Sequence, residues 1–175
     1  HRCERLLTAM ARVVATKRKT IHTIIDSSFV ETYSKHDEAG LSLCGFRRKT
    51  GFKLHQILDG ETRLPLLQTT TRGSEADVSM GEQLIRAVPK HWNLRTVLAD
   101  KGYDSTAFVH HITQKWHGVQ VGIPVRKSPQ ERQHAQRRES LRNVHLKTAE
   151  RNLDPTLFKK RTEIERYFSR KKGVF

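Results

Sequence analysis

Two hydrophobic periods alternate along the chain. His22-Thr23-Ile24-Ile25-Asp26 is a short β-branched run, and its composition predicts a buried strand that ends on a carboxylate. Arg95 to Ala99 repeats the pattern and ends on Asp100, and Val119 to Ile123 makes a further short strand. Elsewhere apolar residues recur every three or four positions, which predicts helices: Leu6, Leu7, Met10, Val13 and Val14 in one, Ala76, Met80, Leu84, Ile85 and Val88 in a second, and Phe108, Ile112 and Trp116 in a third closed by Gly118. The second follows Ser74-Glu75-Ala76-Asp77, where the Ser74 hydroxyl can cap the helix and an acid occupies its first turn; Pro89 ends it. Asp154-Pro155, a cap residue followed by proline, opens a last helix.

Phe52 to Leu58 and Arg63 to Thr71 flank Asp59-Gly60, a dipeptide suited to a tight hairpin turn, and Pro65 lacks the N–H of a central strand, so the second of these strands belongs at an edge. The polar stretch from Glu31 to Thr50, with its basic Arg47-Arg48-Lys49, reads as loop. Pro129 to Glu150 is compatible with an exposed helix or an arm. The order is therefore strand, hairpin, helix, strand, helix, strand, helix: an α/β fold with a mixed sheet flanked by helices. No internal repeat is visible.

At 175 residues a single domain is expected. Charge changes the picture more than length does. Thirty-three Lys and Arg against 18 Asp and Glu leave a net charge of +15, and fifteen of these cations against six acids fall between Arg126 and Lys172. Such an excess points to a polyanion, and with no apolar run of bilayer length a nucleic acid fits better than a membrane. Cys3 and Cys44 are far apart and have no CxxC partner, which excludes a disulfide framework or a cysteine-rich zinc site and suits a reducing cytoplasm. The chain starts at His1 and stops just after a helical stretch, so a fragment is expected, with residues 1–20 as a helix and basic loop left from a longer N-terminal region and residues 21–175 as the main domain.

The two strand-end acids carry the candidate chemistry. Ligands of open sheets bind at strand ends, and two carboxylates brought together there repel each other unless a cation lies between them. On the last helix Phe158, Arg161, Glu165 and Lys172 fall within roughly 60° of one another at about 100° per residue. That face presents a third carboxylate beside cations placed for phosphate. Magnesium suits such oxygen ligands, and two ions could serve phosphodiester hydrolysis or transesterification, with Mn2+ as a substitute. Lys53 and His55 share one face of their strand and are expected to face DNA, as is Lys101. Asp77 and Asp104 read as helix-start acids and Tyr103 as packing. His110, His111 and His117 do not chelate well, because adjacent helical residues point about 100° apart.

Ile24-Ile25-Asp26-Ser27-Ser28, Leu98-Ala99-Asp100-Lys101-Gly102-Tyr103-Asp104-Ser105 and Lys160-Arg161-Thr162-Glu163-Ile164-Glu165-Arg166 resemble the three catalytic blocks of bacterial insertion-sequence DDE transposases. The last block also matches that family's Tyr-x2-Arg-x3-Glu-x6-Lys signature at Arg161, Glu165 and Lys172, with Phe158 in place of the tyrosine. The resemblance implies a ribonuclease H-like fold with catalytic acids Asp26, Asp100 and Glu165 also serving as metal ligands. It further implies cleavage and joining of transposon ends and target DNA, by a homodimer in the synaptic complex and at the nucleoid. Two alternatives remain open: a structure-specific nuclease or resolvase of the same fold, and a truncated or decayed copy that only binds DNA.

Overall fold

The computed structural model describes residues 6, 9, 10, 13, 20–32, 40–44, 47–124, 156 and 159. Its elements are β1 (Ile21–Glu31), β2 (Gly40–Cys44), β3 (Arg47–Asp59), β4 (Pro65–Arg72), α1 (Asp77–Ala87), β5 (Leu94–Ala99), a 3-10 turn (Lys101–Tyr103), α2 (Thr106–Lys115) and β6 (Gln120–Gly122). Among them the sheet runs β2-β3-β1-β5-β6, with β4 also paired to β3. β2, β1 and β4 are antiparallel to β3, whereas β5 is parallel to both β1 and β6. The mixed character follows from the connections: a short loop can join antiparallel β3 and β4, while parallel β5 and β6 need the crossover that α2 supplies.

Alternation along the strands sorts side chains onto two faces. One face carries Ile25, Ile57, Val97 and Ala99, which are buried in a single cluster with Leu84 and Ile85 of α1 and with Phe108 and Ile112 of α2. Each of these side chains larger than alanine contributes roughly 1.5–3 kcal/mol by leaving water. The other face carries a smaller buried group, Ile24, Leu58 and Leu98, with Leu54 against it. Lys115 fastens the two helices together by donating to the carbonyls of Ile85, Arg86 and Val88 at 2.9, 2.8 and 2.6 Å, and so satisfies acceptors that the end of α1 leaves open.

Several sequence expectations hold. Among the described residues β4 pairs only with β3, as Pro65 requires of an edge strand. Gly118 lies beyond α2 with φ 75°. Asp104, expected as a helix-start acid, instead stands one residue ahead of the cap: Ser105 caps α2 by accepting from the Phe108 N–H, and no acid occupies its first turn. Leu6, Ala9, Met10 and Val13 are helical and exposed, and Thr156 and Lys159 are helical. The segment from Pro129 to Glu150 is outside the described residues.

Three further expectations are corrected. The stretch from Glu31 to Thr50 is not all loop, because β1 extends to Glu31, β2 spans Gly40–Cys44 and β3 begins at Arg47. Backbone pairing, from Gly40↔Gly51 to Cys44↔Arg47, makes these residues strand, although only the brief alternation Leu41-Ser42-Leu43 marks them in an otherwise polar stretch. Asp59-Gly60 is not a two-residue turn. Asp59 stays in β3, and its buried carboxylate accepts from the Glu61 N–H at 3.0 Å and the Thr62 hydroxyl at 2.8 Å. The Gly60 N–H is drawn to the His22 carbonyl at 2.7 Å, and the positive φ (61°) falls on Arg63 instead. Finally, Ser74 does not cap α1; the N-cap is Ala76, without a side-chain hydrogen bond, while Asp77 does occupy the first turn.

Candidate active site

The parallel pairing of β1 with β5 runs through Ile24↔Leu98 to Ile25↔Ala99. Asp26 and Asp100 are the next residues on each chain segment, so the two acids directly follow the last paired residues of strands about 4.8 Å apart. Asp100 lies just past the end of β5, as expected from the sequence. Asp26 does not end its strand. It sits in the middle of β1 and pairs with Gln56, because β3 continues to bind the other edge of β1 as far as Glu31. The apolar run stops at Asp26 because full burial stops there, but the hydrogen-bonded ladder continues.

A backbone N–H steadies each carboxylate. Asp26 Oδ1 accepts from Ser27 N at 2.8 Å, and Asp100 Oδ1 accepts from Gly102 N at 2.7 Å. The second contact makes Asp100 the cap of the 3-10 turn, and it requires a glycine: a Cβ at position 102 would stand 2.9 Å from Asp100 Oδ1. Charge-assisted bonds of this kind hold a carboxylate in one rotamer. Two such acids form a hard-oxygen donor set that suits magnesium, which binds protein through one or two carboxylates and takes the rest of its shell from water and phosphate. No group of three His, Cys, Asp or Glu side chains poised for a metal occurs among the described residues.

On the opposite face of the sheet, beneath the start of α1, lies a polar knot that sequence reasoning missed. Asp77 Oδ1 accepts from the Ser27 hydroxyl at 2.7 Å and from Lys53 Nζ at 3.2 Å; Lys53 also donates to the Glu75 carbonyl at 2.8 Å. His55 is fully buried, with Nε2 2.8 Å from the Thr71 hydroxyl and Nδ1 3.8 Å from Asp77 Oδ1. Burial pushes its imidazole below the ordinary range; the charge of Asp77 opposes this and that of Lys53 adds to it. The expectation that His55 faces DNA is therefore corrected, because its side chain is fully enclosed, whereas Lys53 is only half-buried. Register with Phe29 and Ser27 puts both on the α1 side, away from Asp26, and Asp77 and Thr71 engage them there.

Tyr103 closes the turn after Asp100 and is packing, as expected, with 1% of its surface exposed. Burial holds its phenol well above the ordinary range, and the charges of Asp26, Asp77 and Asp100 act in the same direction. Its ring rests on Gly81 of α1, where a Cβ would come within 2.8 Å of two ring carbons. The only sequence signal for this arrangement was Asp77 itself, expected as a helix-start acid, which it is. Lys101 is exposed beside Asp100. Glu165, Phe158, Arg161 and Lys172 lie outside the described residues.

Among the described residues no helix is long and apolar enough to cross a membrane. Comparison with curated proteins finds no match. Among solved structures, a piggyBac transposase in a synaptic complex with hairpin DNA is similar over 69% of this chain, with 15% identity and a TM-score of 0.48; the chain spans 26% of that protein's length. The family model described as "Transposase DDE domain" matches residues 17–175, and the chain belongs to this family.

Proposed function

We propose that the chain is the catalytic domain, over residues 21–175, of a bacterial insertion-sequence transposase with a ribonuclease H-like fold, and that it carries out metal-dependent DNA strand cleavage and strand transfer. The observation that carries this reading is the register of β1 and β5, whose last parallel pair, Ile25↔Ala99, is followed on each side by an acid, Asp26 and Asp100. Membership of the transposase DDE domain family supports the same assignment. Asp26 and Asp100 would hold a divalent ion, Mg2+ by preference, with Glu165 as the third acid.

When bound, that ion supplies Lewis-acid activation of the attacking oxygen and stabilises the leaving one. The protein's part is positioning. Asp26 and Asp100, each fixed by a backbone N–H, set where the ion sits, and the exposed Lys101 beside them offers a cation to a phosphate. In cleavage a water oxygen bonds to the phosphorus, the P–O bond to the 3′ oxygen breaks, and a 3′-hydroxyl is released. In strand transfer that hydroxyl bonds to a phosphorus of target DNA and displaces the neighbouring nucleotide's oxygen. Phe158, Arg161 and Lys172 would flank Glu165 along the DNA, and two copies of the chain would assemble on paired ends.

Nicking of end-bearing DNA by the purified protein should need Mg2+ or Mn2+, stop with a chelator and return when the metal is restored. Cleavage that persists in chelator rejects the reading. Hydrolysis without joining identifies a nuclease or resolvase, whereas DNA binding with no cleavage under any metal identifies an inactive binding module. The charge of +15 makes a second prediction. Affinity for DNA should fall with salt at a log–log slope of roughly 0.9 per phosphate contacted. A slope near zero between low and physiological salt, measured by fluorescence anisotropy, would remove DNA as the partner.

A further inference from the structure

We infer that the first turn of α1 is the device that sets the spacing of the acid pair, with Asp77 and Gly81 as its two positioning residues. The inference rests on the catalytic reading of Asp26 and Asp100. Asp77 and Gly81 are four residues apart and lie one above the other on the same face of the helix. Each touches the residues next to one of the two acids. Asp77 takes the hydroxyl of Ser27, the residue whose N–H in turn holds Asp26 Oδ1. Gly81 receives the ring of Tyr103, the last residue of the 3-10 turn whose Gly102 N–H holds Asp100 Oδ1.

One rigid helical turn thus grips both acid-bearing segments from the face opposite Asp26. β1 and β5 are already joined by the ladder as far as Ile25↔Ala99, but beyond that pair β5 has left the sheet and the ladder no longer fixes Asp100 relative to Asp26. The α1 contacts resume where the ladder stops. Lys53 strengthens the grip from β3, since it binds both Asp77 and the Glu75 carbonyl just ahead of α1. Neither Asp77 nor Gly81 needs to touch metal or DNA to act. Their effect is on where the two ligating carboxylates stand, and outer-shell partners of metal ligands commonly change metal affinity tenfold or more.

The test compares the parent chain with Asp77→Ala, Asp77→Asn and Gly81→Ala. Two quantities are titrated against Mn2+: the rise in thermal unfolding midpoint without DNA, and the rate of DNA nicking. Asp77→Ala and Gly81→Ala should raise the Mn2+ half-saturation about tenfold in both assays, with metal-free DNA affinity unchanged within about twofold and nicking partly recovered at high Mn2+. Asp77→Asn retains an acceptor for Ser27 and should fall between these variants and the parent. Lower unfolding midpoints with an unchanged Mn2+ half-saturation overturn the proposal and leave α1 as scaffold only. If Asp77→Ala does not fold, Asp77→Asn and Gly81→Ala give the same readout. The catalytic reading fails separately, and takes the proposal with it, if the parent shows neither a Mn2+ shift nor nicking, or if Asp100→Asn responds to Mn2+ as the parent does.

Discussion

Asp100→Asn is expected to abolish metal-dependent DNA cleavage while leaving DNA affinity nearly intact. The substitution keeps the shape of the side chain. Its amide oxygen can still accept from Gly102 N, the bond that makes residue 100 the cap of the 3-10 turn, so the local fold should persist. What disappears is the negative charge beside Asp26, and with it one of the two anionic oxygens that would hold the ion. Metal-ion stabilisation of a reacting phosphate supplies several kcal/mol, and each 1.4 kcal/mol is a factor of ten, so the rate should fall by roughly a thousandfold or more. A single-turnover nicking assay at saturating Mg2+ measures the first effect and anisotropy with labelled DNA the second. A normal cleavage rate in Asp100→Asn would show that the acid is only a turn cap and remove it from the catalytic set.

Phe108→Ala carries the largest expected loss of stability. Phe108 is fully buried in the main cluster, its ring centroid lies 6.3 Å from that of Tyr103, and its edge would stand 3.6 Å from a Cβ on Gly81. Truncation removes its transfer free energy and leaves a cavity between α1, α2 and the turn after Asp100, for a cost of about 3–5 kcal/mol. For a domain of ordinary stability, about 5–15 kcal/mol, that is a large share. Urea unfolding followed by circular dichroism should show the transition at much lower denaturant, and Phe108→Leu should lose considerably less. A loss under about 1 kcal/mol would mean that the ring does not fill the space between the two helices.

The outline of the fold was legible because burial leaves a periodic trace. Ile24-Ile25, Val97-Leu98-Ala99 and the spaced apolar residues of α1 and α2 mark their elements for the simple reason that water must be kept from them. Pro65 marked an edge because it has no N–H to give. β2, by contrast, and the first residues of β3 were not legible. Their strand state comes from backbone pairing with each other, from Cys44↔Arg47 out to Gly40↔Gly51, and hydrogen bonds between main chains leave little mark on side-chain composition.

The site divides in the same way. Asp26 and Asp100 could be picked out from the sequence, because a carboxylate that ends a buried run is conspicuous against it. That they stand side by side, with Asp26 within a strand rather than at its end, depends on the register of β1 with β5 and β3, a property of three segments jointly. Lys53 and His55 show the limit most clearly. Alternation on β3 correctly gave them a common face, but which face looks at α1 is decided only when the sheet closes, and that side encloses His55 and pairs Lys53 with Asp77. The sequence alone therefore determined the elements with a buried apolar face and the acids that stand out from them, since both arise from local patterning. Only the tertiary structure decided which acids meet, which cations are enclosed, and that Asp77 and Gly81 grip the two acid-bearing segments at once, since these depend on contacts across many intervening residues.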